Sequence, residues 1–395
     1  MIKSHKIRLY PNNKQATYFK KACGVARVAY NWALTESRRL YEKDGIQASG
    51  YDLSKGLNAI KGEEFPWMYE VTKWAAQKAI YDAHDALKKW WNPKLKNKAP
   101  RFKKKGKAKD SFYVNANQLR LEGGRFFVPK LGWARMAQEL RFVGKILSAT
   151  ISRTADKWFI SIMVDTLTES GEPEVQGVLG VDVGIKSLAV TSDGEVFENP
   201  RAFRGNKRKL RKLDKSVSRK QKGSSNWKKA VAKLAGQHHK VSCVRKDVQH
   251  KATTAIIKSC STVCVETLNV QGMMKNPKLA KVLSDAAMSE FLRQLEYKAR
   301  WCGVAVFQAD MFYPSSKTCS NCGAVKRVLS LGKRTYKCDQ CGLTLDRDLN
   351  AALNLKQLAV GYTESLNACG DGSSGLGIAP CAKLLSVNQE GGNYV

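Results

Sequence analysis

Apolar positions change their spacing several times along this chain. Residues 1–12, MIKSHKIRLYPN, alternate apolar with polar and stop at Pro11 and an asparagine, which predicts one strand. From residue 13 to about 108 the period lengthens. Ala22, Val25, Val28, Ala29, Trp32 and Ala33 return every three or four residues, and so do Trp74, Ala79, Ala83, Ala86, Leu87 and Trp90. That spacing predicts helices. Residues 111–165 return to alternation around a Gly-Gly and an Ala-Asp turn, which predicts several short strands. A small β-barrel would use them, with the first strand of the chain completing it and the helical region as an insertion. DTLTESGEPEVQG, polar and broken by Gly and Pro, reads as a domain boundary.

Past that boundary the pattern predicts a buried strand at Val178–Asp182, a second at Ser187–Thr191, and a Ser-Asp-Gly hairpin before residues 195–197. Residues 206–258 predict a helical hairpin. Leu210, Leu213 and Val217 line one seam; Val231, Leu234, Val241, Val244 and Val248 line the other; QKGSSN separates them. STVCVETL predicts a buried strand ending at Glu266, and SDAAMSEFLRQLEYKARWCG one helix. Residues 369–395 hold Gly and Ser without periodicity and read as a disordered tail.

Charge then narrows the partner. The 395 residues carry 68 Lys+Arg against 34 Asp+Glu, a formal net charge of +34. An excess of this size calls for a polyanion, because phosphates neutralised by Lys and Arg release condensed counterions. A membrane surface is the competing polyanion, and the sequence offers no run of eighteen apolar residues and no apolar signal core to favour it, so nucleic acid is the expected partner and no membrane. The cations concentrate in two places. NPKLKNKAPRFKKKGKAKD holds nine cations and one acid, and reads as a nucleic-acid strap through Arg101, Lys103 and Lys104. The 206–258 hairpin holds only two acids, Asp214 and Asp247, and offers Arg208, Arg211, Lys212 and Arg219.

Seven of the eleven cysteines stand singly, as buried thiols do in a reducing cytoplasm. The other four form CSNC (Cys319, Cys322) and CDQC (Cys338, Cys341), with fifteen residues between the pairs. Two such knuckles give tetrahedral coordination of one Zn²⁺, and four thiolates leave no open position, so the site is structural. Gly323 and Gly342 follow the knuckles, where a positive-φ turn is needed.

Three acids stand in apolar or basic surroundings. Asp182 and Glu266 end apolar strands, where an unpaired carboxylate is costly. The third lies in LDRDLNAALNL. Asp346 is placed to cap the helix that follows. Asp348 flanks the arc of Leu349, Ala352 and Leu353 and points toward the core, while Arg347, Asn350 and Asn354 fall toward the polar side. Two acids at strand ends and one at a helix start suit a pair of Mg²⁺ ions in phosphodiester hydrolysis.

GVDVGIKSLAV, VCVETL, SDAAMSEFLRQLEYKA, YPSSKTCSNCG, YKCDQCG and LDRDLNAALNL resemble TnpB, the transposon-encoded RNA-guided nucleases related to type V CRISPR effectors. The resemblance covers nearly the whole chain. It implies a mixed α and β multidomain fold: a wedge barrel (1–12 and 109–175), a helical recognition insertion (13–108), a RuvC-type core of RNase H fold (176–314 and 346–368) and an inserted zinc ribbon (315–345). It implies Asp182, Glu266 and Asp348 as catalytic ligands of two Mg²⁺, and Lys73 and Gln77, joined by Tyr51 and Asn115, as readers of a short DNA motif. It implies a guide RNA from the element's end, a double-stranded DNA target, a monomer within the RNA complex, and a bacterial or archaeal cytoplasm. A guide-dependent binder that does not cut and a transposase are the competing readings, and retention of all three acids disfavours the first.

Overall fold

The structure is a computed structural model, described here for residues 1–167, 171–330, 332–368 and 382–384. The chain divides into two compact units, Met1–Thr168 and Glu169–Val395. No helix among the described residues is long and apolar enough to cross a membrane.

In the first unit, β1 (Ile2–Tyr10) leads into three helices, α1 (Asn13–Asp44), α2 (Gly50–Glu64) and α3 (Lys73–Trp91). The PNNKQ sequence explains the first junction. Asn12 accepts a bond from the Gln15 amide and the Gln15 side chain accepts one from the Asn12 amide, a reciprocal cap. Gly45, at φ 65°, ends the helix. Six strands follow: β2 (Ser111–Asn115), β3 (Arg120–Glu122), β4 (Arg125–Val128), β5 (Gly132–Met136), β6 (Lys145–Thr154) and β7 (Lys157–Asp165). They pair antiparallel with β1 in the order β2-β6-β7-β1-β5-β4-β3. The first strand thus joins the later hairpins, as the alternation suggested. Among the described residues the ladder is not closed, since β2 and β3 are its two ends. Phe19 of α1 anchors the helices to the sheet, its ring 5.0 Å from Trp158 and 6.0 Å from Phe112.

The second unit begins with β8 (Val178–Asp182), β9 (Ser187–Thr191) and β10 (Val196–Glu198), then the basic hairpin α4 (Ala202–Ser218) and α5 (Ser225–Lys258). β11 (Thr262–Glu266) precedes α6 (Val270–Met273), α7 (Pro277–Ala286), α8 (Met288–Cys302) and β12 (Ala305–Ala309). A small hairpin, β13 (Thr335–Lys337) with β14 (Thr344–Asp346), feeds α9 (Arg347–Ala368), and β15 (Ala382–Leu384) pairs with β12. The remainder of the expected tail, 369–381 and 385–395, lies outside the described residues. The sheet order is β10-β9-β8-β11-β12-β15, with β8, β11 and β12 parallel. Alternation along β11 sorts two cores: Val263 and Val265 pack with Ile256 and Phe291 of α5 and α8, while Cys264 packs with Leu355 and Ala359 of α9. A sheet covered on both faces results.

Two expectations need correction here. Residues 284–303 are not one helix, because Ala287 adopts φ 52° and separates α7 from α8. No Gly or Pro marks that break. Val244 is exposed, whereas Gln237 and Gln249 are buried on α5. Gln249 donates to the Ala286 and Ala287 carbonyls, so the α7–α8 break is bound to α5 by a polar contact that an apolar pattern misses.

Candidate active site

Asp182 and Glu266 occupy the carboxyl ends of adjacent parallel strands. Val181 on β8 lies opposite Val265 on β11, so the next residues, both acids, stand side by side. The open side of a parallel sheet at its carboxyl ends is where such folds bind ligands.

A glycine delivers the third acid. A Cβ on Gly180 would lie 2.0 Å from the Ala352 carbonyl oxygen and 2.5 Å from the Lys356 nitrogen. Only Gly allows α9 to lie this close on β8, and Ala351 and Ala352 keep the helix face thin. Asp348 sits one turn before Ala352, and so above the end of β8.

The two aspartates of DRD divide as their chemistry requires. The Asp346 carboxylate accepts the amides of Asp348 (2.8 Å) and Leu349 (3.3 Å), which makes it the cap. Asp348 is only 15% exposed and meets Arg334 at 3.4 Å. Arg347 is tied to the Ser330 carbonyl and the Ser316 hydroxyl.

Asn350 and Asn354 are 0% and 1% exposed, which overturns their placement on the polar side. Asn350 donates to the Thr318 carbonyl and accepts from the Ser320 amide. Asn354 donates to the carbonyls of Ser315 and Thr318. The helix is therefore buried twice, against the sheet through Ala352, Leu355 and Ala359, and against the first cysteine hairpin through its asparagines. Leu349 and Leu353 are only partly buried.

Electrostatics bind the three acids into one site. Burial pushes Asp182 well above the usual carboxylate range, and Glu266 and Asp348 push it further, while Arg347 opposes them. Burial also raises Glu266, against the Ser315 hydroxyl and Arg347. Ser315 donates directly to Glu266. The Asp182 carboxylate makes no hydrogen bond or ion pair among the described residues. A half-buried carboxylate crowded by two others and left without a partner is the donor set a hard divalent cation fits. The three are spread more widely than the cysteines, which alone among the described residues bring three or more ligand atoms within 4.8 Å of one another.

Those cysteines form a clip. Cys319–Cys341 and Cys322–Cys338 sulfurs are 3.6 Å apart, near the roughly 3.8 Å edge of a tetrahedron with 2.3 Å metal–sulfur bonds. A disulfide would need roughly 2.05 Å. Gly323 and Gly342 both take φ 74°, the turn their positions demanded. Backbone amide of Leu343 and the Asn321 side chain lower Cys341 to about 6. Cys322 moves up to about 12 despite the Ala324 amide, because burial and the three neighbouring thiols oppose its ionisation. Four thiolates at this spacing call for a cation among them.

The expected nucleic-acid residues fall into separate groups. In the first unit Lys73 and Gln77 lie on the opening turns of α3, where Trp74 meets Tyr113 of β2 (6.4 Å) and Thr72 donates to Gln118. Asn115 ends β2 nearby and caps the following turn. Tyr51 is exposed beside Gly50, which rests on Tyr81 of α3, one turn from Gln77. Arg101 and Lys104 are exposed, but Lys103 is packed, its ammonium 3.6 Å from the Tyr30 ring centre and its backbone bonded twice to Asn31. It pins the connector to α1. In the second unit Arg208, Arg211 and Lys212 are exposed along α4, and Arg219 is exposed just past its end. The sequence reading missed Gly180, Ser315 and Arg334. Gly180 had a signal, a glycine inside an otherwise apolar strand.

Three family models match parts of the chain. Residues 161–277 match a family model described as "Probable transposase" (OrfB of IS605 type), and 289–355 match a Cas12f1-like TNB domain. Residues 1–45 match a model described as a helix-turn-helix domain, although here they form β1 and the single long helix α1. A Streptomyces pristinaespiralis protein named "Putative RNA-guided DNA endonuclease" is 35% identical, over 94% of this chain and 91% of that protein. The Escherichia coli (strain K12) protein of the same name, InsQ, is 29% identical over 94% of both chains. A mimivirus TnpB-like protein is 25% identical over half of this chain and 36% of its own length. With identity of this level sustained along nearly the full length of both partners, the chain belongs to the TnpB-like OrfB family.

Proposed function

We propose that this protein is an RNA-guided DNA endonuclease of a transposable element, cutting double-stranded DNA beside a short flanking motif. The observation that carries the reading is the crowding of Asp182, Glu266 and Asp348, with Asp182 unpartnered, at the carboxyl end of a parallel sheet. These three would hold two Mg²⁺, which supply activation of the attacking water and stabilisation of the leaving oxygen. The chain's own residues do the positioning. Gly180 seats α9, Asp346 fixes its first turn, and Ser315 orients Glu266. The four cysteines would hold one structural Zn²⁺, and the asparagines of α9 join that clip to the acid-bearing helix. The exposed cations of α4, α5 and the 92–110 connector suit backbone contacts with guide RNA and heteroduplex, leaving target choice to base pairing. Lys73, Gln77, Asn115 and Tyr51 are the proposed readers of the flanking motif.

The test is to express the gene with its native 3′ flank, sequence the bound RNA, and challenge the purified particle with randomised target flanks in Mg²⁺. Guide-directed cuts are expected from the wild type and none from Asp182→Ala, which still binds target. Continued cutting by Asp182→Ala would remove the site assignment.

A further inference from the structure

A cavity of about 680 Å³ opens in the second unit between the start of α4, the β8–β9 loop and α7. Ile185, Phe203, Leu279 and Val282 give it apolar walls, and Lys186, Arg201, Arg204, Lys207, Lys281 and Arg334 give it a cationic rim. Its one acid, Asp285, is already engaged: it accepts the amides of Phe203 (2.9 Å) and Arg204 (3.1 Å) and is ion-paired to Arg245 (2.8 Å). That acid supplies the cap α4 lacks, since Arg201 makes no side-chain cap of its own. Lys186, Arg201, Arg204, Lys207 and Lys281 pair with no acid among the described residues.

The rim is built rather than loose. Arg201 sits at φ 42°, a left-handed conformation that side-chain-bearing residues avoid. Buried Asn199 imposes it, accepting the Arg201 amide (3.1 Å) and donating to the Ile185 carbonyl (2.8 Å). Such strain persists where the surroundings over-determine it and collects at ligand sites. The Lys281 ammonium lies over the Phe203 ring, 5.3 Å from its centre, so that a base stacking on this face takes its place and leaves the ammonium for a phosphate. Arg334 belongs to two places at once, lining the cavity and touching Asp348 at 3.4 Å.

We propose that this cavity takes one unpaired nucleotide of the DNA strand being cut, next to the scissile phosphate, with its base on the Phe203 wall and its phosphates on the cationic rim. The proposal rests on the nuclease reading above. Apolar walls alone would accept any flat apolar group; six cations select a polyanion. The volume suits a small ligand, not a duplex. Stacking on an aromatic wall with flanking cations is how single strands are held without regard to sequence. Arg334 supplies the direction, because a strand seated in the cavity runs past it onto the three carboxylates. Arg334 then exchanges Asp348 for a strand phosphate, acting as a positioning residue.

The experiment uses the assembled RNA–protein particle, single-turnover cleavage at saturating target, and substrates with an abasic residue stepped through the positions flanking the cut. One abasic position is expected to slow the wild type about tenfold, the loss of one base–aromatic stack. Lys281→Ala and Arg201→Gly, the latter keeping the left-handed turn, are expected to slow cutting about tenfold while guide RNA retention and target binding in EDTA stay within roughly twofold. In Phe203→Leu the abasic penalty disappears, a result that general destabilisation does not give. Wild-type rates in these variants, or the absence of any abasic-sensitive position, overturn the subsite alone. Loss of guide RNA from Lys281→Ala and Arg201→Gly assigns the cavity to RNA and overturns it too. A wild-type particle that binds its target and never cuts removes the nuclease reading, and the subsite with it.

Discussion

Replacing Gly180 by alanine adds a single methyl group, far smaller than the change it should cause. That methyl would meet the Ala352 carbonyl oxygen at 2.0 Å. Carbon–oxygen contacts settle at about 3.3 Å or more, so α9 must retreat by roughly 1.3 Å. Overpacking of this kind costs about 1–3 kcal/mol. The larger effect is on geometry, because Asp348 rides on the same helix one turn away. A displacement of about 1 Å at a reacting centre can lower a rate about 100-fold. The assay is single-turnover cleavage by the guide-loaded particle at saturating target, with binding measured in EDTA and the melting midpoint measured alongside. Cleavage is expected to fall about 100-fold while target binding holds. The obvious compensating change, Ala352→Gly, should rescue nothing, since the obstacle is that residue's backbone oxygen. Wild-type cleavage by Gly180→Ala, or recovery in the double variant, would refute the claim that this close approach sets the third acid.

Asp346→Ala should cost about 0.5–2 kcal/mol of stability by denaturant melting and leave cleavage largely intact, whereas Asp348→Ala should end cleavage with the fold preserved. Asn354→Ala strips the buried Ser315 carbonyl of its side-chain donor and leaves the Thr318 carbonyl with Asn350 alone; a loss of about 1–3 kcal/mol is expected, together with slower cutting as the cysteine clip loosens on α9, and an unchanged melting curve would contradict it. Because Asp182 and Glu266 are raised, protons compete with cations for them at higher pH than for ordinary carboxylates. The Mg²⁺ needed for half-maximal cleavage should therefore climb as pH falls, about tenfold per unit for each proton displaced, and a flat titration would count against the site.

The parts of the site that follow from simple periodicity were legible before any coordinates. Asp182 and Glu266 end strands whose apolar runs are unambiguous, and the cap chemistry of Asp346 separated it from Asp348. Polar burial was not legible. Asn350 and Asn354 look like solvent-facing residues because hydrophobicity is scored one helix face at a time, and their partners are backbone carbonyls some 30 to 40 residues away. The break at Ala287 was equally hidden: the sequence there is Ala-Ala-Met, and it is the side-chain amide of Gln249, from a distant helix, that donates to the free carbonyls of the turn. Whether the strands of the first unit closed into a barrel could not be read either, since alternation assigns faces to strands and is silent about edges.

The groove over Gly180 also imposes an order in time. Asp182 and Asp348 are separated by 166 residues of chain, and ribosomes add about 5–20 residues per second. The basic hairpin ends at Lys258, 90 residues before Asp348, so for roughly 4.5–18 seconds a nascent chain carries that hairpin and the β8 carboxylate but no α9 to complete the acid set. The surface that can hold nucleic acid is synthesised before the groups that could cut it, so the growing protein can engage an RNA partner during an interval in which it has no means of breaking a phosphodiester bond.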